Sequence, residues 1–251
     1  MNTLTDVISD IRVFLYGGIR SLPLTLAGTM ILLGTFTANY AMLFFLVGYL
    51  ILIPILAHIF NMIVGEGILE ALKIESLKTN IGDICRVTIP YETTKNMRGA
   101  ESKIVLCSEW LAMMAFFFTY LFFNAYELYK YEPTDSTPDV SLTVTSTDAS
   151  DIIKAQNRTT QAGFAMASIV LVGLLVIGYR IFYSGCEGTT ISAIVCRIIM
   201  VGLFCYGGYW WYVFLGSIGQ NRLSDLFGIA NRLLAPGAVT NAPIACVPIP
   251  S

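Results

Sequence analysis

Three ionisable residues stand where charge is costly. His58, Glu109 and Arg197 each fall inside a long apolar run. An ionisable side chain at such a position pairs with a partner, lines a polar path or reaches the headgroups. His58 is the only histidine in the chain, which excludes the His-pair zinc motifs and removes the commonest general base of hydrolases. Its two readings are a functional group and a neutral imidazole hydrogen-bonded to a neighbouring helix. Glu109 and Arg197 lie one or two turns inside their runs, so they either pair across helices or snorkel separately to the headgroups. The six cysteines, Cys85, Cys107, Cys186, Cys196, Cys205 and Cys246, show no CxxC spacing. Cys196 and Cys205 read as small buried hydrophobes, while pairing among Cys85, Cys186 and Cys246 stays open. Neither metal, cofactor nor enzymatic activity is expected from this inventory.

The elements that must position these residues are membrane helices. Of 251 residues, 55% are hydrophobic and 13% charged, against about 25% charged in soluble domains. From Ser21 to Gly65 there is no Asp, Glu, Lys or Arg, and a span takes about 20 apolar residues. Net charge is −2 with no basic tract, so nucleic acid is not an expected partner.

The fold class expected is all-α, a multi-pass transmembrane bundle of about five spans. Residues 1–20 read as an amphipathic arm ended by Gly17 and Gly18, with Val7, Ile8, Ile11, Phe14 and Leu15 on one stripe. A hairpin of two spans fills 21–65, with Pro54 kinking the second. Residues 66–103 form an amphipathic loop, 104–126 a third span, and 127–160 a polar Ser/Thr/Asp-rich loop. The fourth span is 161–179, with a small-residue face at Gly163 and Ala167 suited to close helix packing or self-association. The fifth is 190–215, ending in Tyr206, Tyr209, Trp210, Trp211 and Tyr212, the composition of an interfacial aromatic belt. The tail, 216–251, combines a short amphipathic helix near Ser224–Leu234 with an extended proline-rich segment. Nine Lys and Arg flank the spans on the N-terminal side and five on the other, which places the N-terminus in the cytoplasm and the C-terminus across the membrane.

The tail stretch NRLSDLFGIANRLLAPGAVTNAPIACVP carries a pattern at Ser224, Asp225, Phe227, Gly228, Ile229, Pro243, Cys246, Val247 and Pro248. It resembles the C-terminal pattern of multi-pass internal-membrane or minor capsid proteins of large double-stranded DNA viruses of eukaryotes. The resemblance covers about 30 residues of the chain. It implies a non-enzymatic structural protein of a virion's internal membrane, linking lipid bilayer to a protein shell. Asp225, Phe227, Ile229, Pro243, Cys246 and Pro248 would then dock onto capsid or membrane proteins. The apolar spans agree with a scaffold, since a transporter needs polar groups at the midplane. The alternative is an oligomeric ion channel or small transporter with His58, Glu109 and Arg197 along its path.

Overall fold

The computed structural model describes residues 2–68, 79–81, 103–106, 108–130, 147–184, 190–219 and 223–226. Helix α1 (Asn2–Phe36) runs unbroken through Gly17, Gly18 and Pro23, so the N-terminal arm and the first span are one helix. This corrects the expectation that the glycine pair ends the arm. Ser21 Oγ donates to the carbonyls of Gly17 and Gly18, which ties the chain across the glycines. The hydroxyls of Thr25, Thr29, Thr35 and Thr37 likewise bond to carbonyls one turn back. Each side chain thereby meets its hydrogen-bonding need on its own helix, as a lipid environment demands.

Helix α1 ends in a tight reversal. Ala38 takes φ 50°, Ala38 N–H donates to Thr35 O, and Asn39 N–H donates to Gly34 O. These two bonds with a left-handed residue make a Schellman C-cap. Asn39 Oδ1 then accepts from Ala41 N and caps the next helix. That helix alternates between two geometries: α2 (Tyr40–Val47), a π-helical turn Gly48–Leu52, α3 (Ile53–Phe60) and a second π-helical stretch Asn61–Ile68. The first π turn lies directly before Pro54 and its Ile53 N–H reaches back to Gly48 O. The proline kink expected from the sequence is thus absorbed as a π bulge.

Strands β1 (Thr79–Ile81) and β2 (Lys103–Val105) pair antiparallel, Asn80 opposite Ile104. The expected start of the third span at Ile104 is therefore a strand. Its β-branched Ile104 and Val105 continue the apolar run that hydropathy reads as helix. Helix α4 (Glu109–Lys130) follows, with Ala112 N–H donating to Ser108 O in its first turn.

Helix α5 (Thr147–Gly178) begins inside the segment expected as a polar loop and continues as a π turn, Tyr179–Tyr183. Helix α6 (Ile191–Gly219) closes the bundle. The rest of loops 66–103 and 127–160 lies outside the described residues.

Four helical stretches are long and apolar enough to cross a membrane: Gly17–Phe36, Tyr40–Val64, Thr159–Tyr183 and Ile191–Gly219. They correspond to four of the five expected spans. The remaining expected span, the third, is α4, which packs between α5 and α6 and against α3. Its residues Trp110 to Phe117 are all buried. With 22 residues it is about 33 Å long. A helix enclosed by other helices needs less apolar surface than one facing lipid, and α4 accordingly carries Tyr120 and Asn124 in its buried face. The core is aromatic: Phe45 packs against Tyr49, Phe116, Phe117 and Tyr120 with ring centroids 4.7–6.1 Å apart.

Candidate functional site

Side-chain hydrogen bonds fix which helix ends share a level. At one end, Trp110 Nε1 donates to Ile19 O at 2.9 Å, and Leu106 N donates to Asn61 Oδ1 at 3.0 Å. Arg180 lies over the Trp110 ring at 5.1 Å. The starts of the first span and α4 thus meet the ends of the second span and α5. At the other end, Asn39 Nδ2 donates to Leu226 O, and Tyr120 Oη and Asn124 Nδ2 both donate to Ser224 O. The α1–α2 turn and the second half of α4 thus meet the segment that follows α6. Successive helices alternate in direction.

The second group of contacts forms the most developed polar site among the described residues. It is a clamp on the chain after α6. Tyr120 and Asn124 are four residues apart, one turn, so both point to the same side of α4. Their donors, at 3.1 and 2.9 Å, occupy the two lone pairs of one carbonyl. Tyr212 of α6 packs edge-on to Tyr120 at 5.4 Å. Asn39 uses its oxygen to cap α2 and its amide nitrogen, at 3.0 Å, to hold Leu226. A Cβ on Gly219 would come within 2.4 Å of Leu223 Cγ, so the glycine is what lets the chain fold back tightly here. Ser224 and Leu226 are buried and Asp225 is 9% exposed. The expected helix start near Ser224 is instead part of this turn.

Among the expected docking residues, Asp225 is therefore packed into the end of the bundle. Phe227, Ile229, Pro243, Cys246 and Pro248 lie outside the described residues, as do Gly228 and Val247. Chemically the clamp is a set of neutral donors to backbone carbonyls, suited to holding chain and not to proton transfer.

The three intramembrane candidates are not brought together. His58 and Glu109 are exposed and Arg197 is wholly buried. No hydrogen bond or ion pair joins any two of them among the described residues. Arg197 therefore neither pairs with Glu109 nor snorkels to the headgroups; it is enclosed on the inner face of α6 with Met200 and Phe204. Sequence reasoning missed Arg180, read only as the boundary of the fourth span. It is 1% exposed and its cation–π contact with Trp110 contributes about 2 kcal/mol where water is excluded. Position at the end of an apolar run gives no signal that a guanidinium turns inward. Within the single chain, the close packing of α5 falls at Gly173 and not at Gly163. A Cβ on Gly173 would stand 3.2 Å from Phe118 Cγ, whereas one on Gly163 would meet nothing within 4 Å.

Cys196 and Cys205 are free thiols, and Cys205 Sγ lies 3.8 Å from Ala115 O. No group of three or more His, Cys, Asp or Glu among the described residues could hold a metal ion. The chain matches no protein-family model, no curated protein and no solved structure. Fold and site together define an α-helical bundle with four helices long and apolar enough to span a membrane.

Proposed function

We propose that this chain is a structural integral membrane protein that fixes its C-terminal segment at one face of the bilayer for docking onto a protein layer. The observation that carries the reading is the clamp: Tyr120, Asn124 and Asn39 hold the carbonyls of Ser224 and Leu226. Hydrogen bonds sheltered from water are worth more than exposed ones. Three of them on one short turn fix where the chain leaves the bundle after Leu226. The charge bias puts that exit on the face opposite the cytoplasm. The resemblance of residues 221–248 to internal-membrane and minor capsid proteins of large DNA viruses makes the partner a capsid shell and the compartment a virion's internal membrane.

A structural role also agrees with how the bundle is filled. Its centre is filled by the large apolar bodies of Phe45, Tyr49, Met114, Phe116 and Tyr120. Of the three ionisable residues expected along a channel, His58 and Glu109 are exposed and Arg197 is enclosed on the inner face of α6. Deleting Gly237–Ser251 tests the reading. The truncated chain inserts into membranes and loses co-purification with shell proteins; retained co-purification contradicts it.

A further inference from the structure

The turn after α6 touches two parts of the bundle that are far apart in the chain. Asn39 belongs to the hairpin of the first two spans, and Tyr120 and Asn124 belong to α4. Phe45 of the hairpin packs edge-on to Tyr120 with ring centroids 4.7 Å apart. Since α2 and α4 run in opposite directions, Ala41, one turn before Phe45 on the same face, lies level with Asn124. At that level the turn makes a bridge. Leu226 O takes the Asn39 amide at 3.0 Å, while Ser224 O takes the donors of Tyr120 and Asn124. The Leu226 side chain is wholly buried and belongs to the same hydrophobic core as Phe45 and Tyr120. Leu223 packs against that core from its edge.

We propose that residues 223–226 are a strap that locks the hairpin onto α4, and that releasing it opens this end of the bundle while the other end stays shut. Withdrawing the strap takes the acceptor from Tyr120 Oη and Asn124 Nδ2, both on buried residues, and leaves a leucine-sized hole in the core. Stranded donors and an unfilled cavity are each costly, so the surrounding helix ends separate or admit water. The opposite end has ties of its own, Trp110 to Ile19 O and Leu106 N to Asn61 Oδ1, and these do not involve the strap. Asn39 links the two events. Its oxygen caps the start of α2 and its amide holds Leu226, so one side chain fixes both the hairpin turn and the strap. The strap follows every span in the chain, so the first hairpin is locked by the segment made after all the helices. This role faces inward and depends neither on the tail beyond Leu226 nor on its partner.

The test is thiol labelling of the full-length chain in mixed micelles, with Ala41→Cys reporting the strap end and Ala57→Cys the other. Both alanines are buried, and each signal is read against the same chain without the added cysteine. Two variants release the strap. Leu226→Ala removes the core side chain; Asn39→Asp keeps a capping oxygen and removes the amide donor. Each is expected to speed labelling at Ala41→Cys about tenfold or more, the scale of one lost buried hydrogen bond or a core cavity. Ala57→Cys stays protected in both. Without any added cysteine, Asn39→Asp also speeds limited proteolysis just after Gly219, because coupling between strap and hairpin is reciprocal. Unchanged labelling at Ala41→Cys in either variant overturns the proposal, as does unchanged proteolysis in Asn39→Asp. Equal acceleration at both reporters also overturns it, since the bundle would then open as a whole.

Discussion

Trp110 donates its indole N–H to the carbonyl of Ile19 at 2.9 Å, and Ile19 is the residue four before Pro23. In an α-helix the N–H of residue 23 would serve that carbonyl, and proline has none. A side chain ninety-one positions away in sequence thus repairs the bond that Pro23 removes, and Tyr49 Oη adds a 3.4 Å contact to the carbonyl of Pro23 itself. The same indole supports Arg180, so one residue joins three helices at one level of the bundle.

Replacing Trp110 with Phe keeps much of the ring and removes the donor. It is expected to lower stability by about 1–3 kcal/mol, the cost of leaving a buried carbonyl without a partner. Pro23→Ala supplies a backbone N–H to the same carbonyl, so the Trp110→Phe penalty falls in that background. Reversible unfolding in mixed micelles, read as a double-mutant cycle, measures the coupling. Equal penalties in both backgrounds would show that the Trp110–Ile19 bond does not compensate for the proline.

Ala38 holds φ 50° in the turn after α1, a conformation that costs a non-glycine residue about 1 kcal/mol. Ala38→Gly is expected to raise stability by up to about 1 kcal/mol, less the entropy glycine adds to the unfolded chain. Ala38→Val is expected to lower it. The midpoint of thermal unfolding orders the three chains.

Two glycines of α6 make opposite predictions. A Cβ at Gly208 would stand 2.8 Å from the carbonyl oxygen of Phe116, backbone that cannot move aside cheaply. Gly208→Ala should therefore separate α4 from α6 and cost about 1–3 kcal/mol. Gly202→Ala meets nothing within 4 Å and should leave the stability of the single chain unchanged. Unfolding of both variants under dilute, monomeric conditions decides between these expectations.

Asn124→Leu and Tyr120→Phe each remove one donor from the Ser224 carbonyl. Either alone leaves the other donor in place and should cost about 0.5–1.5 kcal/mol; the double variant should cost more than the sum, because the buried carbonyl then has neither. Hydrogen exchange or limited proteolysis just after Gly219 reads the release of the clamp. Unchanged protection in the double variant would remove these bonds from any role in holding the tail.

Much of this architecture was legible in the sequence because charge is excluded from hydrocarbon. The gap in charge from Ser21 to Gly65 marks two spans directly, and the apolar runs before Tyr183 and Gly219 mark two more. Ends were less legible. Gly17 and Gly18 read as a stop because their cost in water does not carry over to a helix in lipid. Ile104 and Val105 extend an apolar run although they are strand, and Thr147 to Thr160 are helix although their composition is polar. The clamp left still less trace. Asn39 is an ordinary turn residue, and nothing local announces that its amide reaches Leu226, 187 positions on. Arg180 is likewise a boundary by composition and a buried cation only by tertiary packing.

The placement of the tail rests on an odd number of passes, with the loop 66–103 and the segment 185–189 on one face and residues 227–251 on the other. Native cysteines report all three. In sealed, uniformly oriented vesicles, a membrane-impermeant thiol reagent should label Cys85 and Cys186 from one side and Cys246 only from the opposite side. Labelling of Cys246 from the same side as Cys85 and Cys186 would contradict the account.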